Sequence, residues 1–137
     1  MAAKIVNRGL LRIGQQASQS TNYNVARYIR TMSVDDGTAA FAAAHTALNS
    51  GGAITNEYDQ AFDATPTEAS QTITHVCTIP TGQGNFTIRR IALHDDTAAN
   101  VTTSSATLVA GVDGQSIGKT ADFSLQITLT ITYADAS

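Results

Sequence analysis

The sequence predicts a mainly β protein: an antiparallel β-sandwich, jelly-roll-like or immunoglobulin-like, with one or two short helices and an N-terminal arm. Three observations predict it. Residues 123–133 alternate six apolar side chains (Phe123, Leu125, Ile127, Leu129, Ile131, Tyr133) with Ser124, Gln126, Thr128, Thr130 and Thr132 without a break, and period two sends alternate side chains to opposite faces of a strand. Shorter runs of the same period recur, separated by clusters of glycine, asparagine, aspartate and proline, the punctuation of turns. Charged residues make up only 14% of the chain, and the abundance of threonine suits a half-buried pleated surface.

The run at 123–133 is expected to be a long central strand, since strands average about six residues. Its apolar face would build the core, each buried side chain contributing roughly 1.5–3 kcal/mol before conformational entropy is subtracted. The rest of the chain is read in order. Residues 1–24 form an N-terminal arm or short helix: Ile5, Val6, Leu10 and Ile13 fall on one side of a helix, but Gly9 weakens it, and the polar tract 15–24 reads as a loop. A single domain then spans 25–137. Residues 25–34 carry Tyr28, Met32 and Val34 in phase and are read as a strand. Asp35-Asp36-Gly37-Thr38 is turn and cap chemistry ahead of an alanine-rich helix over 39–48, which Asn49-Ser50-Gly51-Gly52 ends. Strands follow at 53–62 and 72–80, the second with Ile73, His75, Cys77 and Ile79 on one face. In the strand at 86–94 the apolar phase reverses at Arg89-Arg90, and a β-bulge there would restore a single apolar face. A polar, exposed loop at 95–105 and a strand at 106–112 precede the turn region that feeds 123–133.

Composition excludes several classes. A chain of 137 residues is long enough for one domain with a real core. Its single cysteine, Cys77, allows no intrachain disulfide and lies in an apolar run, where a buried, inert thiol is expected. The net charge of −3 and the lack of a basic stripe argue against a nucleic-acid partner. No signal-peptide core and no stretch of eighteen apolar residues is present, so a soluble chain without a membrane partner is expected.

The search for chemistry returns no catalytic, cofactor-binding or metal-binding residue. His94-Asp95-Asp96 places three potential ligands together, but neighbours on a strand point apart and no fourth ligand has a fitting spacing. His75 and Cys77 share a face without a third group to orient them. Gly118-Lys119-Thr120 resembles the end of a phosphate loop, yet Asp113 stands where the first glycine is required, and the segment leads into a strand where a phosphate loop needs a helix N-terminus. No cofactor is expected, and no enzyme.

Residues 85–95 (NFTIRRIALHD), 106–111 (ATLVAG) and 117–137 (IGKTADFSLQITLTITYADAS) resemble the virion structural proteins of tailed bacteriophages. In that group an I-R-x-I-x-L strand is followed by a short strand, a K-T-x-D-F-x-L turn and strand, and an ending close to T-Y-x-D-A-S. Residues 5–14 and 28–37 fit the same layout less specifically. The resemblance implies a β-sandwich-like module of an assembled particle, made in the host cytoplasm and carried on the virion. Small size, acidic balance and a single cysteine favour a capsid cement or decoration protein on the capsid exterior that binds the major capsid protein. The alternative is a tail, collar or fibre-adaptor protein with tail or portal-proximal partners. A homo-oligomer, a trimer at local three-fold positions, is the expected assembly. Lys4, Ile5, Arg8, Leu11 and Arg12 are the candidate shell-docking residues, and Thr128, Thr130 and Thr132 the candidate subunit interface; a solvated sheet face is the plainer reading of those threonines.

Overall fold

A computed structural model describes residues 4–6, 29–69 and 72–132. Ten strands, β1 (Lys4–Ile5), β2 (Thr31–Asp35), β3 (Glu57–Ala61), β4 (Thr67–Ala69), β5 (Thr72–Ile79), β6 (Thr87–Ile88), β7 (Arg90–His94), β8 (Leu108–Val112), β9 (Ile117–Gly118) and β10 (Leu125–Thr132), are joined by loops among these residues. Every pairing among the described residues is antiparallel. The larger sheet runs β1-β8-β7-β2-β3, the smaller β10-β5-β4, and β6-β9 is a two-stranded ribbon. Mainly β and antiparallel is therefore the observed class. The two larger sheets share one apolar layer, with Met32, Val34, Ile91, Leu93 and Val109 from one and Cys77, Ile79, Ile127, Leu129 and Ile131 from the other, an arrangement consistent with a sandwich-like fold.

The larger sheet is covered on both faces. All five residues of β2, of β7 and of β8 are buried. Beyond the shared layer a second, smaller core gathers Val6, Phe41, Leu48, Ala92 and Leu108, so the segments 36–56 and 95–107 form an outer layer over the sheet. A bulge at Val109 lets His94 pair with Leu108 while Leu93 pairs with Ala110, which keeps both residues of β7 on their proper faces.

Three expectations are corrected. Residues 39–48 form no α-helix; the helical structure among the described residues is a 3-10 turn at Leu48–Gly51. The backbone groups that a helix would pair internally are taken by distant partners. Phe41 N–H donates to Asp113 Oδ2 at 2.7 Å and the Ala39 carbonyl accepts from Arg90 Nη1 at 3.3 Å, while the Thr46 carbonyl accepts from Leu108 N–H at 3.1 Å. Tertiary bonding and the burial of Phe41 and Leu48 override alanine's helix propensity. The strand expected over 86–94 is two strands in different sheets, β6 and β7, broken at Arg89, whose N–H donates to the Asp35 carbonyl while its own carbonyl accepts from Gln115 N–H. The break has the phase effect expected of a bulge, since Ile88, Ile91 and Leu93 all reach the same core. Among the described residues β5 is the neighbour of β10. Phe123, expected on its buried face, is 42% exposed and lies before the strand.

Candidate functional site

The groups with chemical potential lie mostly inside the protein, several of them tied to structural partners; among the described residues Glu57 Oε1, Asp59 Oδ1 and His75 Nδ1 are buried without a hydrogen-bond partner. His94, at the end of β7, holds a hydroxyl on each ring nitrogen: Ser33 Oγ is 2.7 Å from Nε2 and Thr107 Oγ1 is 2.9 Å from Nδ1. The geometry looks like a serine–histidine relay, but Ser33 and His94 are both fully buried and no solvent reaches the hydroxyl. Burial pushes the imidazole down to about 4 against the opposing influence of Asp95, so the ring is neutral at pH 7, donating to one hydroxyl and accepting from the other. It is a tie across β2, β7 and the start of β8.

His75 and Cys77 share the core face of β5, as the alternation predicts, and both are buried. Burial pushes the Cys77 thiol up to about 12 and lowers His75 below its ordinary value. A thiolate–imidazolium pair needs the reverse of both shifts. Cys77 Sγ rests 3.6 Å from the Ala61 carbonyl, and His75 stacks at a tilt on Phe62, centroids 5.1 Å apart.

Arg90 is the largest fully buried side chain. Its Nε and Nη2 bind the two carboxylate oxygens of Asp35, directly across the strand pair, at 2.8 and 3.1 Å. Nη2 also donates to the Leu48 carbonyl at 2.9 Å, and the guanidinium lies 4.8 Å from the Phe41 ring centroid. This cluster clamps the 36–56 layer to the sheet. Sequence reasoning had given Asp35 and Asp36 to a helix cap; Asp36 instead accepts from the backbone N–H groups of Thr55 and Asn56. The available signal was an arginine pair between Ile88 and Ile91, since a buried strand tolerates an arginine only with a carboxylate opposite.

On β3, Glu57 and Asp59 stand side by side facing the same outer layer, and Thr103 Oγ1 donates to Glu57 Oε2. Desolvation, with the neighbouring Glu57 carboxylate, pushes Asp59 up to about 8. No group of three His, Cys, Asp or Glu among the described residues is placed to hold a metal ion. The Gly118-Lys119-Thr120 segment ends β9 and enters a turn; Lys119 is buried, its Nζ donating to the Thr120 carbonyl at 2.9 Å and lying 5.3 Å from the Phe123 ring centroid. Folded back in this way, the ammonium faces no phosphate cradle.

Among the described residues, the outer face of the smaller sheet is rich in threonine. Directly opposed residues of an antiparallel pair share a face. Registers Thr128↔Val76, Thr130↔Thr74 and Thr132↔Thr72, continued by Thr74↔Thr67, therefore spread threonines over three adjacent strands. Thr128 and Thr132 are exposed and Thr130 half-buried, with Thr132 Oγ1 and Thr72 Oγ1 3.1 Å apart. No formal charge falls on β10 or on β5 apart from any proton taken up by His75 on the inner face.

The structure separates the expected docking residues. Lys4 and Ile5 form β1 at the edge of the larger sheet, Lys4 Nζ binding Asp113 Oδ2 at 2.9 Å. Arg8, Leu11 and Arg12 lie outside the described residues. No helix among the described residues is long and apolar enough to cross a membrane. Compared with protein-family models, with curated proteins and with solved structures, the chain matches none.

Proposed function

We propose that this chain is a non-catalytic structural module of a tailed-phage virion, a cement or decoration protein that stabilises the head shell by binding capsid subunits. One observation carries the reading: the serine, histidine and arginine clusters are buried as internal ties, while the outer face of the smaller sheet is a neutral, partly exposed array of threonine. Ser33–His94–Thr107 and Asp35–Arg90 are sealed, and Thr67, Thr72, Thr74, Thr128, Thr130 and Thr132 occupy neighbouring positions on one face. Such a surface carries no reactive group and little desolvation cost from charge, which suits association. The capsid assignment comes from the resemblance of residues 85–95, 106–111 and 117–137 to phage structural proteins. Many copies on a lattice multiply a modest contact energy over the whole shell. On this reading the protein sits on the virion exterior, with the major capsid protein as its partner and no cofactor.

The test compares particles made with and without the protein. Particles lacking it should assemble, yet release DNA at lower temperature than complete particles, and added purified protein should restore their heat resistance. Unchanged heat resistance together with missing tails or failed adsorption would overturn the capsid reading in favour of a tail, collar or adaptor role. A turnover removed by His94→Gln would overturn the non-catalytic reading altogether.

A further inference from the structure

We infer that Glu57 and Asp59 hold one proton between them as a pH-sensitive latch, which pins the 95–107 segment to β3 through Thr103 and releases that segment, with both larger sheets still folded, when the proton is lost. The two side chains stand two residues apart on one face of β3, about 7 Å along the strand, a span that their carboxyl groups can close. Both residues are half-buried. Thr103 Oγ1 donates to Glu57 Oε2, whereas Glu57 Oε1 and Asp59 Oδ1 are buried without a hydrogen-bond partner among the described residues. One proton removes both defects. An Asp59 carboxyl O–H donated to Glu57 gives one orphan oxygen a donor and the other an acceptor, and it leaves a single negative charge on the pair. The rise of Asp59 to about 8, by desolvation first and then by the Glu57 charge and hydrogen bond, agrees with that arrangement.

The described groups packed around the pair supply no countercharge. Across the sheet, Glu57 is opposite Asp35 and Asp59 is opposite Ser33. The Asp35 charge is matched by Arg90 of β7, and Ser33 Oγ lies 2.7 Å from the neutral His94. The ionisable side chains of the two covering segments, 36–56 and 95–107, are Asp36, His45, Asp95 and Asp96. Asp36 accepts from the Thr55 and Asn56 N–H groups, His45 Nδ1 from Ala42 N–H and Asp96 from Thr97 N–H, while Asp95 acts on His94. Thr103 is the junction of the outer layer: its hydroxyl meets β3, and its carbonyl accepts from Asn49 N–H at 3.1 Å. When the proton leaves, two adjacent anions repel in a partly desolvated site, and a half-buried carboxylate relieves the repulsion by turning into water. Glu57 has the longer side chain and reaches water first; in turning, it withdraws the acceptor from Thr103. The backbone pairing of β3 with β2 does not involve these side chains, so the opening is local. The latch does not depend on what particle the protein joins.

Carbon-13 carboxyl shifts of the full chain, followed by NMR from pH 4 to 9 together with amide protection factors, test it. One carboxyl of the pair should titrate near pH 8. Protection of the Asn49 amide should fall by about 10-fold between pH 7 and 9, the factor that a single proton lost at that midpoint allows, while the amides of β7 keep theirs. In Asp59→Asn the carboxamide donates to Glu57 in place of the proton, so Asn49 protection should no longer depend on pH. In Thr103→Val the pair should keep its high titration, with Asn49 protection low throughout. Thermal unfolding at pH 6 shows whether each variant is folded, and the titration of the unaltered chain decides the question even where one is not. Both carboxyls titrating below about 5, Asn49 protection unchanged through the high titration, a loss shared equally by β7, or a pH dependence that persists in Asp59→Asn would each overturn the inference.

Discussion

Arg90 shows how a single buried residue fixes the outer layer. Its guanidinium satisfies both oxygens of Asp35 and the carbonyls of Ala39 and Leu48. Arg90→Leu leaves a carboxylate without its cation in the interior and should cost about 3–5 kcal/mol in urea denaturation. Adding Asp35→Asn should recover only part of that loss, because the Leu48 carbonyl stays unpaired inside. Two other residues carry opposing pH dependences. His94, at about 4 when folded and 6.5 when unfolded, contributes stability that is present above about 6.5 and lost as pH falls towards 4. Asp59 acts the other way: raised from 3.8 to about 8, it contributes stability that is complete below about 3.8 and lost as pH rises through 8. The two slopes oppose each other between about 4 and 6.5, and above that only the Asp59 loss remains. Asp59→Asn should therefore raise the melting temperature at pH 8 and leave a stability that climbs from pH 4 to 6.5; an unchanged profile would show that the carboxyl is not held protonated.

At the scale of elements, legibility follows from how many faces a strand buries. β5 and β10 each have one core face, so their alternation survives in the sequence and their ends were placed within two positions. β2, β7 and β8 are buried on both faces, and there polar residues sit inside by pairing, Ser33 with His94 and Arg90 with Asp35. Period alone reads such residues as outward. The threonine face was legible for the same reason that β10 was. The internal ties were not, because which carboxylate meets Arg90 depends on strand order. The missing helix at 39–48 is a failure of another kind, local propensity overruled by Asp113, Arg90 and Leu108. The layer it forms instead is packed closely on β8, where a Cβ at Gly111 would collide with the Phe41 ring, whereas one at Gly118 in β9 meets nothing within 4 Å. Gly111→Ala should cost about 1–3 kcal/mol by overpacking, and Gly118→Ala should be close to neutral in the same denaturation assay.

Taken whole, the molecule is a fold of long-range pairings. The sequence pattern separates residues 1–24 from the domain, yet β1 completes the larger sheet beside β8, Val6 N–H donates to the Val109 carbonyl at 3.0 Å, and the Val6 side chain belongs to the second core with Phe41, Ala92 and Leu108. A two-residue strand gives no periodicity to read, so this attachment has no local signal. Its consequence is cooperative. Residues 4–6 are held by β8, which pairs with β7, which pairs with β2, and a loss at Val6 is therefore expected to weaken the whole sheet and not merely to fray its first strand. Val6→Ala removes two buried methyl groups and should lower global stability by about 2 kcal/mol. Hydrogen exchange distinguishes the two outcomes. If β1 is integral, the slowest amides of β7 and β2 should exchange faster in the variant by the factor that its denaturation curve gives, about 30-fold for a loss of that size. If only the amides next to residue 6 respond while β7 and β2 keep their rates, the first residues are an appendage and the domain begins later in the chain.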